Sequence, residues 1–300
     1  MSEKVIRFDA DQRLLSKVRA YLSALDELIS DGNQAVDLLV KAFGVADEDL
    51  KIKIVILLGS VARPQVAWSL LDILRDPDQS ETVRQAAAIQ ISVMGAALKD
   101  KYALVEQLRA DLQAEAPFLR AMAAMALGWE GNTQAAPDLI DCLSDDDIEV
   151  QQAAVNALSN LHDDSLFNKL AQRLQKGGKE QQRSILYNLS HLPSRYGDAA
   201  QICRTFVHHN DPDLRYDALV VLHILSDAIR ESDINDHCLE DSDARIRELA
   251  LTHLRRIDRL RLKKIMPKVR RLVNDPQARV RQAATRLIHH VDSITLAGED

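Results

Sequence analysis

The sequence predicts an all-α fold, an α-solenoid of about eight helical hairpins, from three observations. The first is a repeat. Its anchors are Leu50, Val83, Leu119, Val150, Gln181, Leu214, Ile246 and Val280, spaced 33, 36, 31, 31, 33, 32 and 34 residues apart, a period that marks stacked repeats. The second is helical periodicity after each anchor. In VQQAAVNAL, Val150, Ala153, Ala154, Ala157 and Leu158 fall at 0, 3, 4, 7 and 8 and share one helix face. The third is composition: aromatics are 4% of the chain and only 10 residues are glycine, and no stretch alternates as a strand does. A repeat array grows lengthwise, so 300 residues read as a single domain, 1–300.

Each anchor opens the second helix of a hairpin. The same buried face recurs as Leu119, Met122, Ala123, Ala126, Leu127, as Leu214, Asp217, Ala218, Val221, Leu222, and as Val280, Ala283, Ala284, Leu287, Ile288. Alanines at 3 and 4 let neighbouring helices touch. Second helices are expected near 47–59, 80–94, 116–128, 147–160, 179–191, 212–225, 243–255 and 276–290. First helices are expected near 33–43, 64–74, 99–113, 133–143, 164–176, 197–209, 227–240 and 260–273. Residues 11–30 read as an amphipathic helix capping the first repeat, and 292–300 as a frayed tail.

The turn before most anchors is acidic: Asp47 and Asp49, Asp76 and Asp78, Asp145 to Asp147, Asp211 and Asp213, Asp241 and Asp243, Asp275. Aspartates there cap the helix N–H groups, at about 0.5–2 kcal/mol each. Pro77, Pro212 and Pro276 follow an Asp and suit the first helical position. The residue after the anchor is basic in six copies, Lys51, Arg84, Arg120, Arg215, Arg247 and Arg281, with Gln151 and Gln182 as exceptions. This spacing is compatible with a ladder of Asp–Arg contacts between copies. Gly59 and Gly128 stand where helices are expected to end, and Gly177-Gly178 replaces the acidic turn of the fifth copy.

The run at 127–158, LGWEGNTQAAPDLIDCLSDDDIEVQQAAVNAL, resembles the HEAT repeat, more narrowly the variant called PBS-lyase HEAT-like, and weaker copies extend over about 33–290. The resemblance implies an α-solenoid with first helices on the convex side and second helices on the concave side. It does not imply lyase activity, because the fold hosts many functions. Members named for bilin attachment act on a protein-bound tetrapyrrole, which makes an accessory bilin lyase-like protein an alternative function. Deoxyhypusine hydroxylase, another relative, holds two irons through His-Glu pairs, and this chain has no His-Glu dipeptide. DNA-glycosylase relatives need a basic face, which the net charge of −7 disfavours.

No other motif points to chemistry. There is no phosphate-binding glycine loop, no nucleophile elbow and no Cys/His arrangement at metal spacing. The pairs His208-His209, His237-Cys238 and His289-His290 sit about 100° apart on a helix and are poor chelates. Cys142, Cys203 and Cys238 read as buried small hydrophobes of a reducing compartment. No run of eighteen apolar residues suggests a membrane span, and the polar opening MSEKVIRFDADQ does not read as a secretory leader. The expectation is a cytoplasmic, non-catalytic protein with no cofactor and no metal.

With 0, 3, 4, 7 and 8 buried, positions 2, 6 and 9 line the inner face. Position 6 reads Ile56, Ile89, Met125, Asn156, Tyr187, Val220, Thr252 and Arg286, and position 2 reads Ile52, Gln85, Ala121, Gln152, Arg183, Tyr216, Glu248 and Gln282. Gln152, Asn156, Arg183, Tyr187, His191, Tyr216 and His223 therefore form the candidate surface for a protein or peptide partner, because Tyr and Arg are frequent interface anchors. The apolar end, Ile52, Ile56, Ile89 and Met125, is a second contact or the seat of the N-terminal helix.

Charge is uneven. Residues 244–290 hold 14 Lys or Arg against 3 Asp or Glu, whereas 100–165 hold 3 against 13. Arg261, Lys264, Lys268 and Arg271 share one face, joined by Arg255, Arg256 and Arg259. This basic patch is either a solubilising cap, as repeat arrays need at their ends, or a site for an acidic protein, a phosphate-bearing ligand or nucleic acid.

Overall fold

The computed structural model describes residues 3–61, 63–99, 101–192, 196–229, 236–256 and 259–296, with side chains over 9–61, 63–99, 101–192, 196–225, 237–255 and 262–293. The described residues contain helices and turns and no strand. They group into two compact units, Met1–Leu166 and Phe167–Asp300.

The first unit opens with α1 (Glu3–Ser23) and α2 (Leu25–Asp31), followed by hairpins α3 (Asn33–Phe43) with α4 (Glu48–Val61) and α5 (Pro64–Arg75) with α6 (Glu81–Gly95). Two more pair α7 (Tyr102–Asp111) with α8 (Pro117–Leu127) and α9 (Ala136–Cys142) with α10 (Ile148–Asn160). Each first helix packs on its own second helix, and α4, α6, α8 and α10 pack on one another in sequence. That stacking is the α-solenoid arrangement.

The second unit holds α11 (Leu166–Lys176) and α12 (Lys179–Leu189), α13 (Tyr196–Phe206) and α14 (Pro212–Ile229), α15 (Asp236–Leu239) and α16 (Ala244–His253), and α17 (Arg259–Arg271) and α18 (Ala278–Leu296). Here α12, α14, α16 and α18 pack in turn. All eight expected second helices are present, within a few residues of their expected bounds.

The repeat arithmetic explains the core. Val150, Ala154, Ala157 and Leu158 of α10 are all at most 2% exposed, and Val280, Ala284 and Leu287 of α18 are fully buried. Gly128 caps α8 where α10 crosses it: a Cβ there would lie 2.7 Å from Ala157 Cα. The glycine is needed for close approach and not for backbone freedom, since its φ of −82° is open to any residue.

Several local expectations are corrected. The N-terminal helix is broken, because Ala24 leaves helical geometry at φ −141° and ψ 79°, and α1 begins at Glu3 rather than at residue 11. Across the break the Tyr21 hydroxyl donates to Asp31 Oδ2 at 2.6 Å. Gly59 lies inside α4, not beyond it, and a Cβ there would strike the Gln90 side chain at 2.1 Å. Pro77 and Pro276 lie in the turns before α6 and α18, and Pro212 alone of the three starts a helix. The first helix expected over 227–240 is the short α15; α14 itself continues to Ile229, and 230–235 lie outside the described residues. The final helix continues to Leu296 instead of ending at 290.

The Asp–Arg ladder is real. Arg120 Nε and Nη2 donate to Asp145 Oδ2 and Oδ1, both at 2.7 Å, while Nη1 reaches back to the carbonyls of Ala114 and Glu115. Arg215 does the same with Asp241 and the carbonyls of His209 and Asn210. Arg247 repeats it with Asp275 and the carbonyls of Asp241 and Ser242. One guanidinium thus closes its own turn and grips the next. The gripped carboxylate also accepts a backbone N–H two residues on, from Asp147, Asp243 and Gln277 respectively. Where glutamine replaces arginine, Gln151 and Gln182 donate back to the carbonyls of Asp145 and Leu174.

Candidate functional site

The second helices of the first unit expose an apolar stripe. Ile56 of α4 is 47% exposed, and Ile89 and Val93 of α6 are 42% and 68% exposed. Met125 of α8 is half-buried beside them. They stand out because positions 2, 6 and 10 recur on the helix flank opposite the face that packs against the first helices. A cleft of about 270 Å³ opens here, with Ile89, Val93 and Met125 on one side and Asn156 and Asn160 on the other. That is below the ~300–1,000 Å³ of ordinary small-molecule sites, and suits a side chain or two of a partner.

Of the expected partner surface, Gln152 and Asn156 lie in this unit; both are exposed, and Gln152 Nε2 donates to Asn156 Oδ1 at 3.3 Å. Ala121, expected on the same face, is 2% exposed, since its methyl group does not reach beyond its neighbours. Val93 and Asn160, at position 10 of their copies, belong to the stripe and were not among the expected residues. The signal was available: position 10 lies one turn beyond position 6. The N-terminal helix does not cover the stripe. It packs on α3 and α4 and leaves Ile56 open.

The second unit holds the other expected partner residues. Tyr187 is 52% exposed, and its ring lies 5.2 Å from that of His191. Arg183 is engaged: its Nε donates to Asp217 Oδ2 at 2.6 Å, which holds its guanidinium even more firmly protonated than usual. Asp217 stands at position 3, on the helix-packing face of its copy, and the arginine offsets the electrostatic cost of a carboxylate there. Arg245 lies over the Tyr216 ring at 5.2 Å, and bonds Asp213 and Asp243. His223 Nδ1 lies 3.2 Å from Nδ1 of the buried His253. Tyr187 and His191 are thus the most accessible of this group.

In the basic patch, Arg255, Lys264 and Arg271 are exposed, and Lys268 pairs with Glu240 at 3.0 Å. The side chains of Arg256, Arg259 and Arg261 lie outside the described residues. Among the described residues no group of three His, Cys, Asp or Glu is arranged to hold a metal, and no helix is long and apolar enough to cross a membrane. His208 faces His237 at 5.2 Å between ring centres, and His209 Nδ1 accepts the Asp211 N–H. Cys142, Cys203 and Cys238 are buried and free of disulfides.

Residues 103–190 match the family model for HEAT repeats. No curated protein matches the sequence. Among solved structures, the chain is similar to human deoxyhypusine hydroxylase in complex with glycerol, at 15% identity over 97% of this chain and 98% of that one, with a TM-score of 0.32. It is also similar to Kap121p bound to Pho4p, at 17% identity over 97% of this chain and 38% of that one, with a TM-score of 0.48. A structure of Kap95p binding RanGDP gives 14% identity over 86% of this chain and 40% of that one, with a TM-score of 0.47. The chain therefore spans 38–40% of the length of these last two proteins.

Proposed function

We propose that this chain, which carries HEAT repeats, is a non-catalytic scaffold that binds a protein partner through the exposed face of its second helices. The observation that carries this reading is the stripe of Ile56, Ile89, Val93 and Met125, the last three of which line a side-chain-sized cleft. Three branched aliphatic side chains on adjacent second helices leave 42–68% of their surface in solvent, and they are the kind of surface that a partner desolvates. Gln152 and Asn156 extend the face with adaptable hydrogen-bonding groups. Tyr187 and His191 offer a further contact in the second unit, with Arg183, Tyr216 and His223 held by their own neighbours.

The test is affinity purification from the native cell with wild-type protein and Ile89→Asp in parallel. A protein enriched by the first and lost with the second supports the reading. Identical sets of captured proteins would refute it.

A second reading, binding of a phosphate-bearing ligand or nucleic acid, is favoured by the exposure of Arg255, Lys264 and Arg271 in a segment of strong positive charge. Such binding must weaken steeply with added salt, because it releases counterions.

A further inference from the structure

We infer that the partner segment seated on the first unit's second-helix face is a basic amphipathic helix, an inference that rests on the function proposed above. The floor of this surface bears apolar and amide groups: Ile56, Ile89, Val93, Met125, Gln152 and Asn156. Its edge is different. The turns before the second helices carry Asp78, Glu115 and Asp146, and the first helical turns add Glu81 and Glu149, all exposed. No ion pair to a Lys, Arg or His is found for any of these five among the described residues. The cations of the same turns are turned inward: Arg84 donates to the Leu74 carbonyl and stacks on Phe118, and Arg120 grips Asp145. The repeat thus turns these cations inward and leaves a negative rim beside an uncharged floor.

The dimensions select a helix. From Glu81 to Ile89, and from Glu149 to Asn156, is eight and seven residues, or about 10–12 Å along an α-helix. A helix of about 10–12 Å diameter with side chains that rests on the floor brings one flank to the rim. Second helices packed about 8–10 Å apart set the pitch along the surface, and seven residues of an occupant helix rise about 10.5 Å. One apolar anchor and one Lys or Arg per heptad of the occupant then meet one floor residue and one acidic turn per repeat. This is helix-in-groove recognition with a charged flank. Charge complementarity fixes the occupant's sign and direction more than its affinity.

The experiment titrates the full-length protein against two labelled helical peptides, followed by fluorescence anisotropy. Both carry the same heptad-spaced leucine face; one has Lys along a flank and its twin has Glu there. The basic peptide is expected to bind at least tenfold more tightly at low salt, a margin that several partly exposed ion pairs supply together. The margin should collapse in 1 M salt and in the triple variant Glu81→Gln, Asp146→Asn, Glu149→Gln. Equal affinity for both peptides, abolished by Ile89→Asp, overturns this inference while leaving the scaffold reading intact. Binding of neither peptide overturns the inference too, and the affinity purification above then decides the scaffold reading separately. Self-association of the chain that Ile89→Asp dissolves would also overturn it, by making a second copy the occupant.

Discussion

Arg215 holds Asp241 with two parallel hydrogen bonds of 2.8 Å, and the two side chains are only 10% and 3% exposed. The pair joins the start of α14 to the turn before α16. Removing one partner leaves a buried charge without compensation, which costs about 3–5 kcal/mol. Asp241→Asn is therefore expected to destabilise the protein by about 3 kcal/mol, measured as a shift in the urea midpoint. A loss under about 1 kcal/mol, typical of surface ion pairs, would show that the ladder is ornamental.

The same carboxylates set an acid limit. Arg120 and the Asp147 N–H hold Asp145 below the usual carboxylate range against the opposing effect of burial, and Arg247 does so for Asp275. For Asp241 burial is the largest influence and raises the value, but Arg215 and the Asp243 N–H outweigh it. The partly buried Asp213, between Lys179 and Arg245, is lowered to about 2. Depressed folded values stabilise the protein above the unfolded carboxylate value of about 3.9, and this contribution is lost as pH falls through the folded values. The melting temperature should show no loss from these groups between pH 7 and 5 and should fall below about pH 4. The deficit of Asp241→Asn relative to wild type should shrink over the same acid range.

Cys142 should be inert in the native state. Burial, then the carboxylates of Asp145, Asp141 and Asp138, push its thiol up to about 12, with Arg120 opposing. Alkylation at neutral pH should leave Cys142, and the equally buried Cys203 and Cys238, unmodified until denaturant is added. Rapid native labelling at Cys142 by mass spectrometry would contradict this packing.

Gly128→Ala tests the closeness of α8 and α10. The added Cβ would lie 2.7 Å from Ala157 Cα and 2.8 Å from Ala157 Cβ. Overpacking of this kind costs about 1–3 kcal/mol, and at this cap position, outside the helix, alanine's helix propensity brings no offsetting gain. Thermal unfolding should show net destabilisation.

The repeat period and the buried positions were legible in the sequence because a solenoid writes its core once per repeat. Val150, Ala154 and Leu158 announce α10, and Arg120 with Asp145 announces the ladder by residue type and spacing. What was not legible was which polar residues the fold occupies. Arg183 looked like an open anchor, yet Asp217, thirty-four residues on, takes its guanidinium; only the misfit of an aspartate on a helix-packing face hinted at it. Tyr216 is similarly covered by Arg245. The break at Ala24 was invisible because alanine is a good helix former and the interruption comes from tertiary packing. Ile56 and Ile89 were legible as a face, but their exposure depended on where α1 settles.

The most direct measurement places a photo-crosslinking side chain at Val93, on the apolar stripe, and in a second protein at Asp72, exposed on α5. A partner is expected to be captured from the native cell through position 93 and not through position 72. Capture of the same partner through position 72 alone would contradict it.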